Sequence, residues 1–180
     1  MNLLERKAER ILTEIIAPHN KRFRKNPTMT EAFIGNAIDL NVTRLVEVTM
    51  AEVGKFKFVD GSHKDFDDGT ECKTAVIRET TPKKSPGTHV VQITNVCSRQ
   101  SGELKSGDIR VVIYNPFLDR CEYFYIPNEA LDDDIKVSKS NGHVSVSYNR
   151  STGIIAKLEK YRVCDFKTLC KMTPKSKKKA

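Results

Sequence analysis

The sequence lacks any apolar run that approaches the ~20 residues needed for a helix to cross a bilayer. Charged side chains interrupt its first ten residues, so the apolar stretch of a secretory signal is missing as well. We therefore expect an intracellular, cytoplasmic protein with no membrane partner. The chain has no internal repeat, and its 180 residues (20.4 kDa) are enough for one domain with a buried core.

Cysteine and histidine motifs are also missing. The five cysteines are an odd number at wide spacing, and no Cys-x-x-Cys occurs. The four histidines are scattered along the chain. These patterns argue against a disulfide framework and against a zinc site, and reduced thiols fit an intracellular compartment.

Acidic residues are absent from the last ten positions, which carry five lysines. The whole chain has 31 Lys and Arg against 23 Asp and Glu, a net charge of +8, so the part before position 171 is only mildly basic. We predict a single domain over 1–170 and a flexible basic tail over 171–180. Such a tail favours a polyanionic partner, and in a eukaryotic setting it could act as a nuclear signal.

The apolar pattern predicts helices first and strands afterwards. Helical spacing covers 2–17, where Pro18 should stop the helix, and then 28 to about 47 or somewhat beyond. Alternation then predicts strands at 56–60, 70–78, 89–96, 109–114 and 122–126, a short acidic helix at 129–134, a late hairpin over 143–155 and a last helix at 165–170. The predicted class is α+β, with N-terminal helices followed by a mixed central sheet.

The segment from Asp60 to Thr74 contains the residues best suited to chemistry. Glu71 and Lys73 should point to the same face of a strand, because side chains alternate along it. A glutamate and a lysine that face a second carboxylate can share a divalent cation and an activated water. The lysine can orient that water or offset phosphate charge. Cys72, between them, should face the core.

Two aspartates compete as the partner of Glu71. If Asp68 is the centre of the turn, Asp65 lies directly across from Glu71, with β-carbons about 5 Å apart. A two-residue turn at Asp68-Gly69 would put Asp65 on the wrong face. Asp60, just after a predicted strand, is the alternative. We prefer Asp65, although Asp and Gly are also common in ordinary turns.

The residues Lys64-Asp65-Phe66…Gly69-Thr70-Glu71-Cys72-Lys73 resemble the signature of the PD-(D/E)XK nuclease superfamily, the fold of many restriction endonucleases. Lys64 replaces the proline of the signature, and the gap from Asp65 to Glu71 is shorter than usual. The resemblance covers roughly residues 28–126. It implies a restriction-endonuclease-like core, with Asp65, Glu71 and Lys73 as catalytic residues.

The same resemblance implies a helix before the hairpin that adds an acid to a metal site. Gly35 followed by Asp39 resembles the family's Gly-x-x-x-Glu, and Glu31 lies about two helical turns before Asp39. The implied cofactor is Mg²⁺, with Mn²⁺ as an alternative, held by Asp65, Glu71, Asp60, Glu31 and Asp39. Cutting both strands of a duplex calls for two active sites, so a homodimer is expected.

Basic residues supply candidate contacts to double-stranded DNA. One group precedes the second helix and another flanks the polar loop after the third strand: Lys21, Arg22, Arg24, Lys25, Arg99, Lys105 and Arg110. The resulting expectation is a Mg²⁺-dependent DNA endonuclease of a restriction system, a phage or a mobile element. The alternative is a nucleic-acid-binding protein without catalysis.

Overall fold

The computed structural model describes residues 1–20, 42–59, 64–80, 87–96, 107–131, 133–138 and 140–174. The helices are α1 (Leu3–Ile11), α2 (Ala17–His19), α3 (Val42–Gly54) and α4 (Phe166–Lys171), and a π-helical segment (Leu12–Ile16) joins α1 to α2. The strands are β1 (Glu71–Glu79), β2 (His89–Ile93), β3 (Ile109–Asn115), β4 (Arg120–Ile126), β5 (Val137–Ser138), β6 (His143–Asn149), β7 (Ile154–Ile155) and β8 (Arg162–Val163). Short 3₁₀ turns occupy Asn128–Ala130 and Glu159–Tyr161.

The strands form one mixed eight-stranded sheet, which confirms the predicted α+β class. The order is β5-β6-β2-β1-β3-β4-β8, and β7 pairs with β6. β1 and β3 run parallel, with Glu71 opposite Ile109, and every other pair is antiparallel. β3 is buried along its whole length, and five of its seven residues are apolar.

Side-chain alternation gives the sheet two apolar faces. On one face, Cys72 and Val112 pack with residues of α1, α3 and α4 such as Ile11, Met50 and Leu169. On the other face, the buried residues include Ala75, Ile77, Val111, Phe124 and Tyr148. Glu71 and Lys73 share the second face, since they are in step with Ala75 and Ile77. Among the described helices, none is long and apolar enough to cross a membrane.

The first helix begins where a capping box fixes it. The amides of Leu4 and Glu5 both donate to Asn2 Oδ1 at 3.0 Å, and the Asn2 amide donates to Glu5 Oε2 at 2.7 Å. The expected stop at Pro18 is wrong, because helical structure continues two residues beyond position 17, to His19. Pro18 is the second residue of α2, which directly follows the π-helical segment, so its missing N–H falls where the regular α-helical hydrogen bonding is already interrupted.

Three other boundaries differ from the sequence prediction. α3 continues seven residues beyond Glu47 and ends at Gly54, where Lys55 adopts a left-handed conformation (φ 60°) that stops the helix. The strand predicted at 56–60 is only a single antiparallel bridge between Phe58 and Phe66. The acidic helix predicted at 129–134 is a 3₁₀ turn at Asn128–Ala130, followed by a bridge between Leu131 and Ile135.

Candidate active site

Glu71 and Lys73 form an ion pair at the N-terminal end of β1. Lys73 Nζ lies 3.1 Å from Glu71 Oε2, and the side chains are 17% and 5% exposed. The amide of Glu71 donates to Asp108 O at 3.0 Å, which joins the start of β1 to the start of β3. Cys72 is buried with the helices on the opposite face, as predicted. The predicted arrangement of these three residues on β1 is therefore confirmed.

Asp65 reaches the same end of β1 by a different route from the one predicted. It does not stand across a ladder from Glu71, whose strand partner is Ile109. The amides of Asp65 and Phe66 both donate to Thr70 O, at 3.2 and 3.3 Å. This tight turn brings Asp65 Oδ2 within 2.7 Å of the Cys72 amide, so the carboxylate caps the edge of β1. The predicted cross-strand pair is wrong, because the chain before β1 pairs with itself through Phe58 and Phe66.

Glu47 is an acid of this neighbourhood that the sequence analysis missed. It lies on α3, one turn after Thr43, whose Oγ1 is 2.7 Å from Thr74 Oγ1 on β1. That contact fixes the helix against the strand and leaves Glu47 only 8% exposed. The available signal was an acid inside the apolar stretch Val46-Glu47-Val48, where a solvent-facing residue is unexpected.

Burial, assisted by the negative charge of Asp65, raises the pKa of Glu47 to about 7. Arg44, with Nη1 at 3.4 Å from Glu47 Oε2, and the positive charge of Lys73 act in the opposite direction. Asp65 and Lys73 are therefore both close enough to Glu47 to influence its protonation. A carboxyl group that titrates near neutral pH is suited to accepting and returning a proton.

Arg110 corrects the sequence prediction, which assigned it to DNA. Its side chain is fully buried, and Nη2 donates to Asp68 Oδ2 at 2.7 Å and to Met172 O at 2.5 Å. Nε donates to Leu169 O at 3.3 Å, and Nη1 donates to Thr70 Oγ1. The guanidinium carbon lies 4.4 Å from the centre of the Phe56 ring. Because every face of the group is occupied by protein, Arg110 cannot contact DNA in this structure.

The contacts of Arg110 instead support the turn that leads into Glu71. Asp68 Oδ1 accepts from the amide of Thr70 at 3.0 Å and from its hydroxyl at 2.6 Å, so Arg110, Asp68 and Thr70 form one network. The hydrogen bonds to Arg110 and Thr70 lower the pKa of Asp68 against the effect of burial. Asp68 is thus a structural carboxylate, which agrees with its predicted role as a turn residue.

The remaining predicted site residues lie outside the described residues, and those predictions stay as they are. The acids in this group are Asp60, Glu31 and Asp39. The basic residues are Lys21, Arg22, Arg24, Lys25, Arg99 and Lys105. Most of the predicted tail, from position 175 onward, also falls there.

The oxygen donors near the start of β1 suit a hard divalent cation in type but are few in number. Mg²⁺ commonly takes one or two carboxylates and completes its coordination with water. Glu47 and Asp65 are two such carboxylates, and their mutual repulsion is what a bound cation would relieve. Within the described ranges, no three His, Cys, Asp or Glu side chains form a group that could hold a metal ion.

No protein-family model, no curated protein and no solved structure matches the chain.

Proposed function

We propose that this chain is a Mg²⁺-dependent DNA endonuclease of the kind found in restriction systems, phages or mobile elements. The observation that carries the proposal is the set of groups at the N-terminal end of β1. Glu47, Asp65 and the Glu71–Lys73 pair come from a helix, a turn and a strand. Acids and a lysine brought together from separate elements are suited to hydrolysing a phosphodiester.

Each side chain has a role in this proposal. Asp65 holds the cation together with one second carboxylate, which is Glu71 by the sequence resemblance or Glu47 by its charge coupling to Asp65. When bound, Mg²⁺ supplies a water of lowered pKa and neutralises charge on the phosphate. Lys73 orients the attacking water or offsets phosphate charge from beside Glu71. Glu47, with a pKa of about 7, can accept a proton at its carboxylate oxygens near neutral pH.

The proposed partner is double-stranded DNA, and the proposed assembly is a homodimer. Its support is chemical, since cleavage of both strands at one position requires two active sites. The basic residues outside the described ranges remain candidate DNA contacts, whereas Arg110 is withdrawn from that set.

The decisive experiment is cleavage of plasmid and phage genomic DNA with Mg²⁺, with EDTA and with a Lys73→Ala variant. The matched control is Lys136→Ala, which removes one exposed lysine near β5. We expect fragments with the wild type and the control, and none with EDTA or Lys73→Ala. Discrete fragments would mean site-specific cutting, and a smear would mean nonspecific cutting. DNA that stays intact across all substrates, while salt-sensitive binding persists, would replace this proposal with a non-catalytic binding protein.

A further inference from the structure

A groove lined by arginines lies at the opposite end of the sheet from the candidate active site. It has a volume of about 720 Å³ and lies between the turn at 116–119 and the turn at 150–153. Its basic lining residues are Arg120, Arg150 and Arg162. We call it the arginine groove.

The positive charge of the arginine groove exceeds its negative charge. Arg120 and Arg162 share the carboxylate of Glu122, with nitrogen–oxygen distances of 3.3 and 3.1 Å. Glu122 is only 1% exposed and cannot meet a ligand, whereas the Arg120 side chain is 58% exposed. Arg162 also pairs with Glu159 at 2.6 Å. Three guanidinium groups therefore face two carboxylates, one of them buried.

Arg150 contributes the least compensated of these charges. It is exposed, and none of the carboxylates in the described part of the chain forms an ion pair with it. Its guanidinium carbon lies 4.9 Å from the centre of the Phe117 ring, which stacks on Tyr148 at 5.5 Å. His89 packs edge-on against Phe117 at 4.6 Å. The aromatic group forms a rigid base under a charge that remains open to solvent.

The turn beside Arg150 is also built to present polar groups. Asn149 Oδ1 accepts hydrogen bonds from the amides of Ser151 and Thr152, at 2.9 and 3.2 Å. Both of these residues line the arginine groove. Guanidinium groups and hydroxyls on a fixed turn are the donors that proteins use to bind phosphate oxygens.

The position of the arginine groove suits a ligand that also reaches the candidate active site. β3 begins opposite Glu71 and ends at Asn115, beside the groove, so the two places are about 20 Å apart at 3.3 Å per residue. One strand of B-DNA carries a phosphate about every 3.4 Å along the axis, so about six phosphates span that distance. A duplex is long enough to meet both places at once.

We propose that the arginine groove binds the phosphate backbone of double-stranded DNA, away from the cleavage site. The inference rests on the proposed function for the identity of the ligand. It adds a second, sequence-independent contact that depends on Arg150 and Arg120, and it requires no chemistry at β1.

The test measures binding of a labelled 24-base-pair duplex in EDTA, where no cutting is expected, over a range of salt concentrations. Log affinity falls as log salt concentration rises, and each lost phosphate contact should make that slope shallower by about 0.9. If the variant and the wild type bind equally at 1 M salt, this slope change makes the affinity of the variant about eightfold weaker at 0.1 M salt. We expect this loss for Arg150→Ala and for Arg120→Ala, and no loss for the control Lys136→Ala. Thermal unfolding followed by circular dichroism checks that the variants are folded.

The outcomes separate this inference from the proposed function. Wild-type slopes in both arginine variants would overturn the proposal that the arginine groove binds DNA, even if the protein cuts DNA. A wild type that binds no duplex would overturn it as well. If the wild type binds DNA through these arginines but never cuts it, the proposed nuclease function is wrong and the proposed DNA binding by the arginine groove is supported. If Arg150→Ala is unfolded, Arg150→Gln and Arg120→Ala carry the comparison.

Discussion

Lys73 Nζ lies 3.1 Å from Glu71 Oε2, on the face of β1 where the next two side chains, Ala75 and Ile77, belong to the apolar core. A charged pair is costly to bury unless the two partners compensate each other. The pair stands at the first residues of β1. Asp65 caps the edge of the strand there, and Glu47 on α3 is close enough to feel the charges of Asp65 and Lys73. The Glu71–Lys73 pair is therefore at the boundary of the core, where a phosphate in the proposed reaction would meet Lys73 beside Glu71.

The raised pKa of Glu47 predicts a pH-dependent stability. A carboxyl group with a folded-state pKa of about 7 and an ordinary value of 4.5 binds more protons in the folded state between those limits. The free energy of unfolding should therefore fall as pH rises from about 5 to 8. After allowance for screening we expect a fall of about 1–2 kcal/mol. Urea denaturation at several pH values should show it in the wild type and not in Glu47→Gln.

Metal binding should oppose that fall if Glu47 and Asp65 share a cation. Added Mg²⁺ should raise the melting temperature more at pH 8, where the Glu47 carboxyl group is mostly charged, than at pH 6, where it is mostly neutral. The Glu47→Gln variant should lose most of this difference. An equal Mg²⁺ effect at both pH values, or an effect that survives in Glu47→Gln, would exclude Glu47 from the metal site. The readout is stability and does not depend on cleavage.

The main elements of the fold follow from the sequence because each leaves a local pattern. β3 is apolar at five of its seven positions, β6 alternates strictly, and α1 begins at a capping box. These patterns depend on neighbours two to four positions away. The parallel pairing of β1 with β3 is different, because it joins residues about 38 positions apart and no local pattern encodes it.

The candidate site was predictable only in part for the same reason. The Glu71–Lys73 pair follows from alternation along one strand, and the structure has it. The partner of Asp65 depended on which segments pair, and the chain closed a hairpin through Phe58 and Phe66 instead. Arg110 looked like a surface base beside a loop, but residues as distant as Asp68 and Met172 enclose it.

Asp65 offers a pair of variants that separates stability from activity. The Cys72 amide donates to Asp65 Oδ2 at 2.7 Å, and an asparagine keeps an oxygen acceptor there. We expect Asp65→Asn to remain near wild-type stability while losing Mg²⁺-dependent cleavage. Asp65→Ala leaves the amide without this acceptor and should cost about 1–3 kcal/mol. Full cleavage by Asp65→Asn would show that the Asp65 carboxylate only accepts the hydrogen bond from β1 and takes no part in the reaction.

The Arg110–Asp68 pair predicts a large stability effect with a specific pattern. Asp68→Ala leaves a fully buried guanidinium without its carboxylate and should cost about 3–5 kcal/mol. Arg110→Met should also destabilise, but the double variant should cost less than the sum, since neither charge is then left alone. Chemical denaturation of the four proteins measures this coupling. Strict additivity would mean that the two charges do not stabilise each other.

The approach of two glycines predicts which turn substitution the fold cannot accept. Gly107 has φ 131°, and a β-carbon there would lie 2.0 Å from Gly69 O, in the turn that Asp68 and Thr70 stabilise before β1. Gly87 has φ 79° and no atom within 4 Å of such a β-carbon. Gly87→Ala should therefore cost only the backbone term, about 1 kcal/mol, whereas Gly107→Ala should cost at least about 3 kcal/mol.

Chemical denaturation of the two variants measures the difference. Because the displaced backbone would be that of Gly69, Gly107→Ala should also weaken cleavage under conditions where the protein is still folded, and Gly87→Ala should not. Equal stability losses in the two variants would show that the backbone at Gly69 can move away from a β-carbon at position 107 without cost, and that this contact does not position the start of β1.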